Sequence, residues 1–159
     1  MELILLPDVS LSEVMGFCEL LEDAGGQEDV YRISESLNLE LDDILPVIEA
    51  GELLGLIQAG RGDVVLTGLG RSFLHADVNR RKTMLAGQLA PLGVFRTVLA
   101  TLRQRRHNHA PKRLFFDLFA EHLPDEEAER LLKTVIDWGR YAELIGFSPE
   151  TEEIYLDKG

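Results

Sequence analysis

The sequence of 159 residues lacks several features on which common functions depend. Its one cysteine, Cys18, excludes an intramolecular disulfide and suits a reducing cytoplasm as a buried thiol. No apolar run approaches the ~20 residues that a membrane-spanning helix needs. No GxxxxGK[ST] string is present, and Gly68 and Gly70 do not form a phosphate loop. These absences favour a cytoplasmic protein that does not hydrolyse ATP.

Residue sets that would form a catalytic or metal site are also missing. His107 and His109 stand one residue apart without a cysteine or carboxylate cluster nearby, which is a weak ligand set. The many carboxylates fall on predicted exposed helix faces, with no histidine or nucleophile spaced to cooperate with them. We therefore expect no enzymatic activity, no metal and no cofactor.

Each part of the chain is poor in charges of one sign, so the net charge of −12 hides a segregation of acidic and basic residues. Residues 1–77 hold 16 acidic and three basic residues, residues 78–113 hold nine basic and no acidic ones, and residues 114–159 hold 12 acidic and four basic ones. Two interpretations stay open. The basic segment 78–113 packs against its own acidic flanks, or it meets an acidic partner, a phosphate group or an anionic membrane surface.

Apolar periodicity between residues 28 and 69 predicts a helix-turn-helix followed by a β-wing. The helices are expected near 28–37 and 42–51, and the wing at 55–67, around a hairpin turn at Arg61-Gly62-Asp63. Pro46 belongs either to the first turn of the second helix or to a bend. The residues expected to face the core are Ile33, Leu37, Leu41, Ile44, Leu45 and Ile48.

Further helices are predicted near 10–24, 68–89, 91–106, 112–122 and 125–145. Either Ser10 or Ser12 is suited to cap the first of them, and Thr67 is suited to cap another. The string RRHNHAPKR is expected to be a loop, and EEIYLD a closing strand. The predicted fold is mostly α, with two winged-helix-like units at 1–77 and 91–159 and a helical connector at 78–90. Only the order of the elements supports the pairing, because the sequence shows no residue-level repeat.

The second helix of the first unit carries charges of the wrong sign for DNA. A DNA reader of this class lays that helix in the major groove and gains affinity from Lys and Arg on phosphates. This region offers Asp42, Asp43, Glu49 and Glu52, and no Lys or Arg lies between Arg32 and Arg61. DNA is therefore not an expected partner.

Candidate partner-binding residues come from the basic segment and from one aromatic string. Trp138, in VIDWGRYAELIGF, either closes the second core or anchors a partner, since Trp, Tyr and Arg dominate interface hot spots. The full candidate set is Arg80, Arg81, Lys82, Arg103, Arg105, Arg106, Trp138, Arg140 and Tyr141.

Three strings in the chain resemble one known family. GGQEDVYRISESLNLELDDILPVIEAGELLGLI, TGLGRSFLHADVNRRK and TVIDWGRYAELIGF are similar to the AAA-associated C-terminal domain found behind the ATPase of nitrate, sulfonate and taurine-type ABC importers. The resemblance runs from about Leu6 to about Leu156. It implies a helical winged-helix accessory domain, attached to or acting on an ABC ATPase. Because Walker A and LSGGQ-type sequences are missing, the chain is expected to be a free-standing or excised version, and no catalytic residue carries over.

The first functional hypothesis is a non-enzymatic regulatory or protein-interaction domain that docks on an ABC-transporter ATPase or on another copy of itself as a homodimer. It would reach the inner face of the membrane only through a transporter. The alternatives are a transcription regulator that uses the basic segment 78–113, and a small-ligand sensor with a cleft between the two units as its pocket.

Overall fold

The computed structural model describes residues 5–157. These residues form two compact units. One boundary between the units lies inside a helix, between Arg81 and Lys82. Val9–Arg81 is called the N-terminal unit, and residues 82–157 together with residues 5–8 are called the C-terminal unit.

Both units contain three helices and three short strands in the same order, and the N-terminal unit has a further helix after its last strand. The elements of the N-terminal unit are α1 (Leu11–Asp23), β1 (Gln27–Asp29), α2 (Val30–Leu37), α3 (Leu41–Leu53), β2 (Ile57–Gly60), β3 (Asp63–Leu66) and α4 (Gly68–His75). Helix α5 (Val78–Leu89) contains the unit boundary. The C-terminal unit continues with α6 (Gly93–Gln104), a 3-10 turn (Arg106–Asn108), β4 (His109–Pro111), α7 (Lys112–Ala120), α8 (Asp125–Tyr141), β5 (Ile145–Ser148) and β6 (Glu153–Leu156).

The two sheets have the same topology. Both are antiparallel and three-stranded, with the order β1-β3-β2 in one unit and β4-β6-β5 in the other. The order helix, strand, helix, helix, strand, strand is that of a winged helix, with the last two strands as the wing. The predicted fold class, mostly helical with two winged-helix-like units, is confirmed.

Side-chain caps fix the starts of several helices. The Ser10 hydroxyl accepts a hydrogen bond from the Glu13 N–H at 3.1 Å and so begins α1. Thr67 accepts from the Gly70 N–H at 2.9 Å and donates to the Gly55 carbonyl at 2.7 Å, which ties α4 to the end of α3. Both caps agree with the sequence prediction, because each hydroxyl satisfies an otherwise unpaired N–H of a first turn.

The apolar stripes of the helices form the core of each unit, with two exceptions. Ile33, Ile44 and Ile48 are buried as predicted. Leu37 and Leu45, also predicted to face the core, are 39% and 46% exposed. Counting apolar residues along a helix overstates the width of its buried face, since Ile44, Ile48 and Gly51 already fill the side of α3 that faces the core.

The predicted single helix at 68–89 is wrong, because the chain breaks at Ala76 and Asp77 into α4 and α5. The Asp77 carboxylate accepts from the Arg80 N–H at 2.8 Å and begins α5. The Arg81 side chain donates to the Phe73 carbonyl at 3.0 Å and to the Leu74 carbonyl at 2.6 Å, and so ends α4. Asp77 in the break and Arg81 on α5 therefore satisfy backbone groups of the two helix termini.

Three other predictions need correction. The helix predicted to reach residue 145 ends at Tyr141, because Glu143 adopts a left-handed φ of 59° and Ile145 starts a strand. The predicted loop RRHNHAPKR contains the 3-10 turn and β4, and the start of the helix predicted at 28–37 belongs in part to β1. Of the two alternatives for Pro46, the first turn is excluded, because Pro46 is the sixth residue of α3.

The structure also reveals a repeat at residue level that the sequence did not show. Gly51 of α3 packs against Ile57 of β2, and Gly139 of α8 packs against Ile145 of β5. The spacing is the same in both units, and the Leu56 N–H bonds to the Gly51 carbonyl as the Leu144 N–H bonds to the Gly139 carbonyl, each at 2.9 Å. The two units thus share a helix-to-wing junction as well as a topology.

Candidate interaction surfaces

Helix α3 of the N-terminal unit presents an acidic surface to solvent. Asp42, Asp43, Glu49 and Glu52 are all exposed on it. The Glu52 carboxylate accepts from the Ala59 N–H of the wing at 3.2 Å. Asp42 and Asp43 lie in the first turn, where carboxylates interact favourably with the helix dipole. In a DNA-binding winged helix this helix would approach phosphates, so its charge is unsuited to that role.

Exposed leucines lie beside and between these carboxylates in the sequence. Leu37 ends α2, Leu39 lies in the turn, and Leu45 lies on α3; their exposed fractions are 39%, 45% and 46%. The name leucine patch is used below for these three residues. Between them in the sequence lies Leu41, which is half-buried.

Two residues of the basic segment are already used inside their own units. Arg81 is bonded to the end of α4, and its guanidinium lies 5.3 Å from the centre of the Phe73 ring. Lys82 donates to the Glu143 carboxylate at 2.8 Å, and this hydrogen bond, followed by the charge of Glu143, raises the pKa of Lys82. Both side chains are therefore engaged by residues of their own units.

The end of the basic segment also pairs with acidic residues of the wing. His109 Nδ1 lies 2.8 Å from a carboxylate oxygen of Glu153, and Lys112 Nζ lies 3.8 Å from Glu152. Strand β4 runs beside β6, which brings these side chains together. For these residues and for Lys82, the structure shows the basic segment paired with its own acidic flank.

Of the candidate partner-binding residues in the segment, four arginines stay on the surface. Arg80, Arg103, Arg105 and Arg106 are exposed. Arg105 Nε donates to the His109 carbonyl at 3.3 Å, next to the 3-10 turn. Arg103, Arg105 and Arg106 are called the arginine cluster below, because they fall within four residues at the end of α6.

Of the three candidates in the aromatic string, Trp138 is fully buried and Tyr141 is half-buried, whereas Arg140 is exposed. Trp138 therefore serves as core of the C-terminal unit, and the alternative of a surface anchor is wrong for it. Its neighbour Gly139 is buried as well.

The C-terminal unit contains an open groove of about 780 Å³ between α7, α8 and the β5–β6 turn. Its lining includes Phe116, Leu132, Ile136 and Phe147. Lys112 Nζ lies 5.8 Å from the centre of the Phe147 ring, and the Arg113 guanidinium lies 5.4 Å from that of Phe116. The charged side chains of the groove are four basic ones, Lys112, Arg113, Arg130 and Lys133, and four acidic ones, Glu126, Glu129, Asp137 and Glu152. Because the numbers are equal, the groove favours neither an anionic nor a cationic ligand.

Within residues 5–157, no group of three or more His, Cys, Asp or Glu is placed to hold a metal ion. The rings of His107 and His109 stack with centres 6.1 Å apart, and His109 is paired with Glu153. In the same range no single helix is long and apolar enough to cross a membrane. Only α5 and α6 taken together pass that test, with a bend of 97° between them.

Comparison with protein families identifies the chain. The model of the C-terminal AAA-associated domain matches residues 31–148, from α2 to the end of β5. The chain belongs to this family. Searches of curated proteins and of solved structures gave no significant match. Membership gives this C-terminal AAA-associated domain an accessory role beside an ATPase, and the matched range contains both the acidic α3 and the arginine cluster.

Proposed function

We propose that this C-terminal AAA-associated domain is a non-enzymatic protein-interaction and regulatory domain of an ABC-type importer, and that it docks on the ATPase of that importer. Membership of the family supports an ATPase as the partner. The observation that carries the proposal is the surface of α3. A winged-helix unit whose second helix exposes leucine and four carboxylates has the shape of a DNA reader and the surface of a protein-binding domain.

Charge supports a protein partner over a nucleic acid. A net charge of −12 removes the long-range attraction on which nonspecific DNA association depends. The alternative of a transcription regulator would have to use the basic segment, from which Arg81 and Lys82 are already withdrawn by contacts within their units.

A second contact of the domain is assigned to the arginine cluster together with Arg80. These side chains are exposed and suit an acidic surface, either on the ATPase or on the N-terminal unit of another copy, whose sequence is strongly acidic. Complementary charges raise the association rate and select the partner more than they raise affinity. The domain acts in the cytoplasm and reaches the inner face of the membrane through the transporter.

The test is co-purification with an identified ABC ATPase subunit. The tagged chain is expressed in its source cells and captured at ~0.05 M salt, where exposed charges are weakly screened. A tagged winged-helix protein of similar net charge is the control. We expect an ABC ATPase subunit to be enriched over the control, and the purified chain to show no ATP hydrolysis above buffer. Absence of any ATPase subunit from the captured proteins would contradict the proposed partner, and hydrolysis by the pure chain would contradict the non-enzymatic role.

A further inference from the structure

Hydrogen bonds within the turn between α2 and α3 fix the position of Leu39, the central residue of the leucine patch. The Ser34 hydroxyl donates to the Leu39 carbonyl at 2.5 Å, and the Leu39 N–H donates to the Ser34 carbonyl at 3.1 Å. Asn38, between Leu37 and Leu39, adopts a left-handed φ of 53°, which asparagine tolerates better than most residues. The conformation of this turn therefore places Leu37 and Leu39 at the surface.

The three leucines of the patch fall within nine residues of the chain. Leu37 and Leu39 flank one residue, and Leu41 and Leu45 lie one helical turn apart, with Cβ atoms ≈ 5–6 Å from each other. Single exposed leucines are common on protein surfaces, whereas a group of them rimmed by polar residues marks a contact site. The patch occupies the turn and the first turns of α3, the part that a DNA-binding relative of this fold inserts into the groove.

Carboxylates flank the patch in the sequence, and no basic side chain of the described residues pairs with them. Glu35, Glu40, Asp42, Asp43 and Glu49 are exposed, and none of them makes an ion pair with another residue between 5 and 157. The one basic residue between Val30 and Gly60 is Arg32. An anionic polymer or an anionic lipid surface would be repelled here, whereas a cationic and partly apolar ligand is complementary in both respects.

We propose that the leucine patch and its carboxylates bind a cationic amphipathic helix of the partner protein, with the apolar stripe of that helix on Leu37, Leu39 and Leu45. A stripe at i, i+3, i+4 and i+7 fits a row of exposed leucines, and Lys or Arg beside the stripe reach the surrounding carboxylates. The proposal rests on the proposed function, because it states the chemistry of the ATPase segment that docks. It also separates the two surfaces: the patch binds cations, and the arginine cluster binds anions.

The experiment uses the full chain and a fluorescein-labelled synthetic helix of about 18 residues, five turns long, with a leucine stripe flanked by lysines. Binding is followed by fluorescence anisotropy. A second peptide has glutamate in place of every lysine. The chain variants are Leu39→Ser with Leu45→Ser, Glu40→Gln with Glu49→Gln, and Val78→Ser as the matched control, since Val78 is 63% exposed and lies outside the patch. Far-UV circular dichroism checks that each variant is folded.

We expect the lysine peptide to bind wild type and the Val78→Ser control equally. The leucine variant should bind it at least about tenfold more weakly, since two apolar contacts are lost. The glutamine variant should bind several-fold more weakly and with a smaller dependence on salt. The glutamate peptide should not bind.

Three outcomes would overturn the proposal: equal binding by the leucine variant, equal binding of both peptides, or no binding of the lysine peptide to wild type. A wild-type dimer in sedimentation that the leucine variant abolishes would also overturn it, because the patch would then be covered by a second copy. If an ATPase subunit co-purifies equally with wild type and the leucine variant, the proposed function stands and this inference fails. If no ATPase co-purifies while the lysine peptide binds as expected, the proposed function fails and the chemistry of the patch stands.

Discussion

Gly139 leaves room for Ile145 in the C-terminal unit, and no larger residue would do so. A Cβ added at Gly139 would lie 2.6 Å from Cγ1 of Ile145 and 3.2 Å from the ring of Phe95. Gly51 has the same relation to Ile57, with 2.5 Å to Cδ1. In both units, the close approach lets the first strand of the wing pack on the second helix of the helix-turn-helix.

Substitution of this glycine is expected to destabilise the C-terminal unit. Gly139→Ala should lower the stability by about 1–3 kcal/mol, the usual cost of overpacking a well-filled core. Gly87→Ala is the control, because Gly87 lies on α5 with nothing within 4 Å of an added Cβ, and alanine is the better helix former there. Urea unfolding followed by circular dichroism measures both. An unfolding midpoint of Gly139→Ala equal to or above that of wild type would contradict the packing argument.

The thiol of Cys18 is expected to be unreactive in the folded protein and to make stability depend on pH. Burial, followed by the charge of Glu19, raises the pKa of Cys18 from 9.0 to about 12. The unfolded thiol loses its proton above pH 9 while the folded one keeps it, so this contribution to stability is complete below pH 9 and is lost as pH rises towards 12. Cys18→Ala should lose less stability than wild type between pH 8 and 10, as thermal unfolding would show. Rapid modification of the native thiol by a disulfide reagent at neutral pH would argue against burial.

Glu143 combines an ion pair with an unfavourable backbone conformation. Its φ of 59° lies in the left-handed region, and the residue at the same place in the N-terminal unit is Gly55, with a φ of 76°. Glu143→Gly and Glu143→Ala both remove the contact with Lys82, but only glycine relieves the backbone. Glu143→Gly should therefore be about 1 kcal/mol more stable than Glu143→Ala in urea unfolding. Equal stability of the two variants would mean that the left-handed conformation carries no cost here.

The arginine cluster is expected to contribute to partner binding. Changing Arg103, Arg105 and Arg106 to Glu should reduce recovery of the ATPase subunit and leave the fold intact, because all three side chains are exposed. Binding by wild type should also weaken as salt rises from ~0.05 to ~0.5 M. Arg71→Glu, at an exposed position of α4 outside the surfaces described above, is the control for a change of charge alone. If pull-down and light scattering are indifferent to both salt and charge reversal, the cluster is a solvated surface.

DNA binding is expected to be negligible. The acidic surface of α3 leads us to predict that a random duplex binds no more tightly than ~10⁻⁶ M at ~0.15 M salt, within or below the usual nonspecific range. A gel-shift titration measures this, with a basic winged-helix protein as the positive control. Sub-micromolar affinity would support the alternative of a transcription regulator.

Local signals in the sequence determined much of the fold. Ser10 and Thr67 cap their helices because a hydroxyl in that position satisfies a free N–H wherever the chain folds. The hairpin at Arg61 and Gly62 follows from local turn geometry, and both residues have a positive φ. The segregation of charge that separates an acidic N-terminal unit from a basic segment is a property of the sequence alone.

Tertiary structure decided which of these residues are available to a partner. Strands β1 and β4 have three residues each and pair with strands far along the chain. Because their pairing is not local, the sequence around them shows no strand pattern from which they could be predicted. Packing buried Trp138, engaged Arg81 and Lys82 in contacts within their own units, and placed Leu45 on the surface, although the periodicity of α3 assigned Leu45 to the core. The sequence determines which side chains can be apolar or charged contacts, whereas their exposure depends on how much of each helix face the rest of the unit covers.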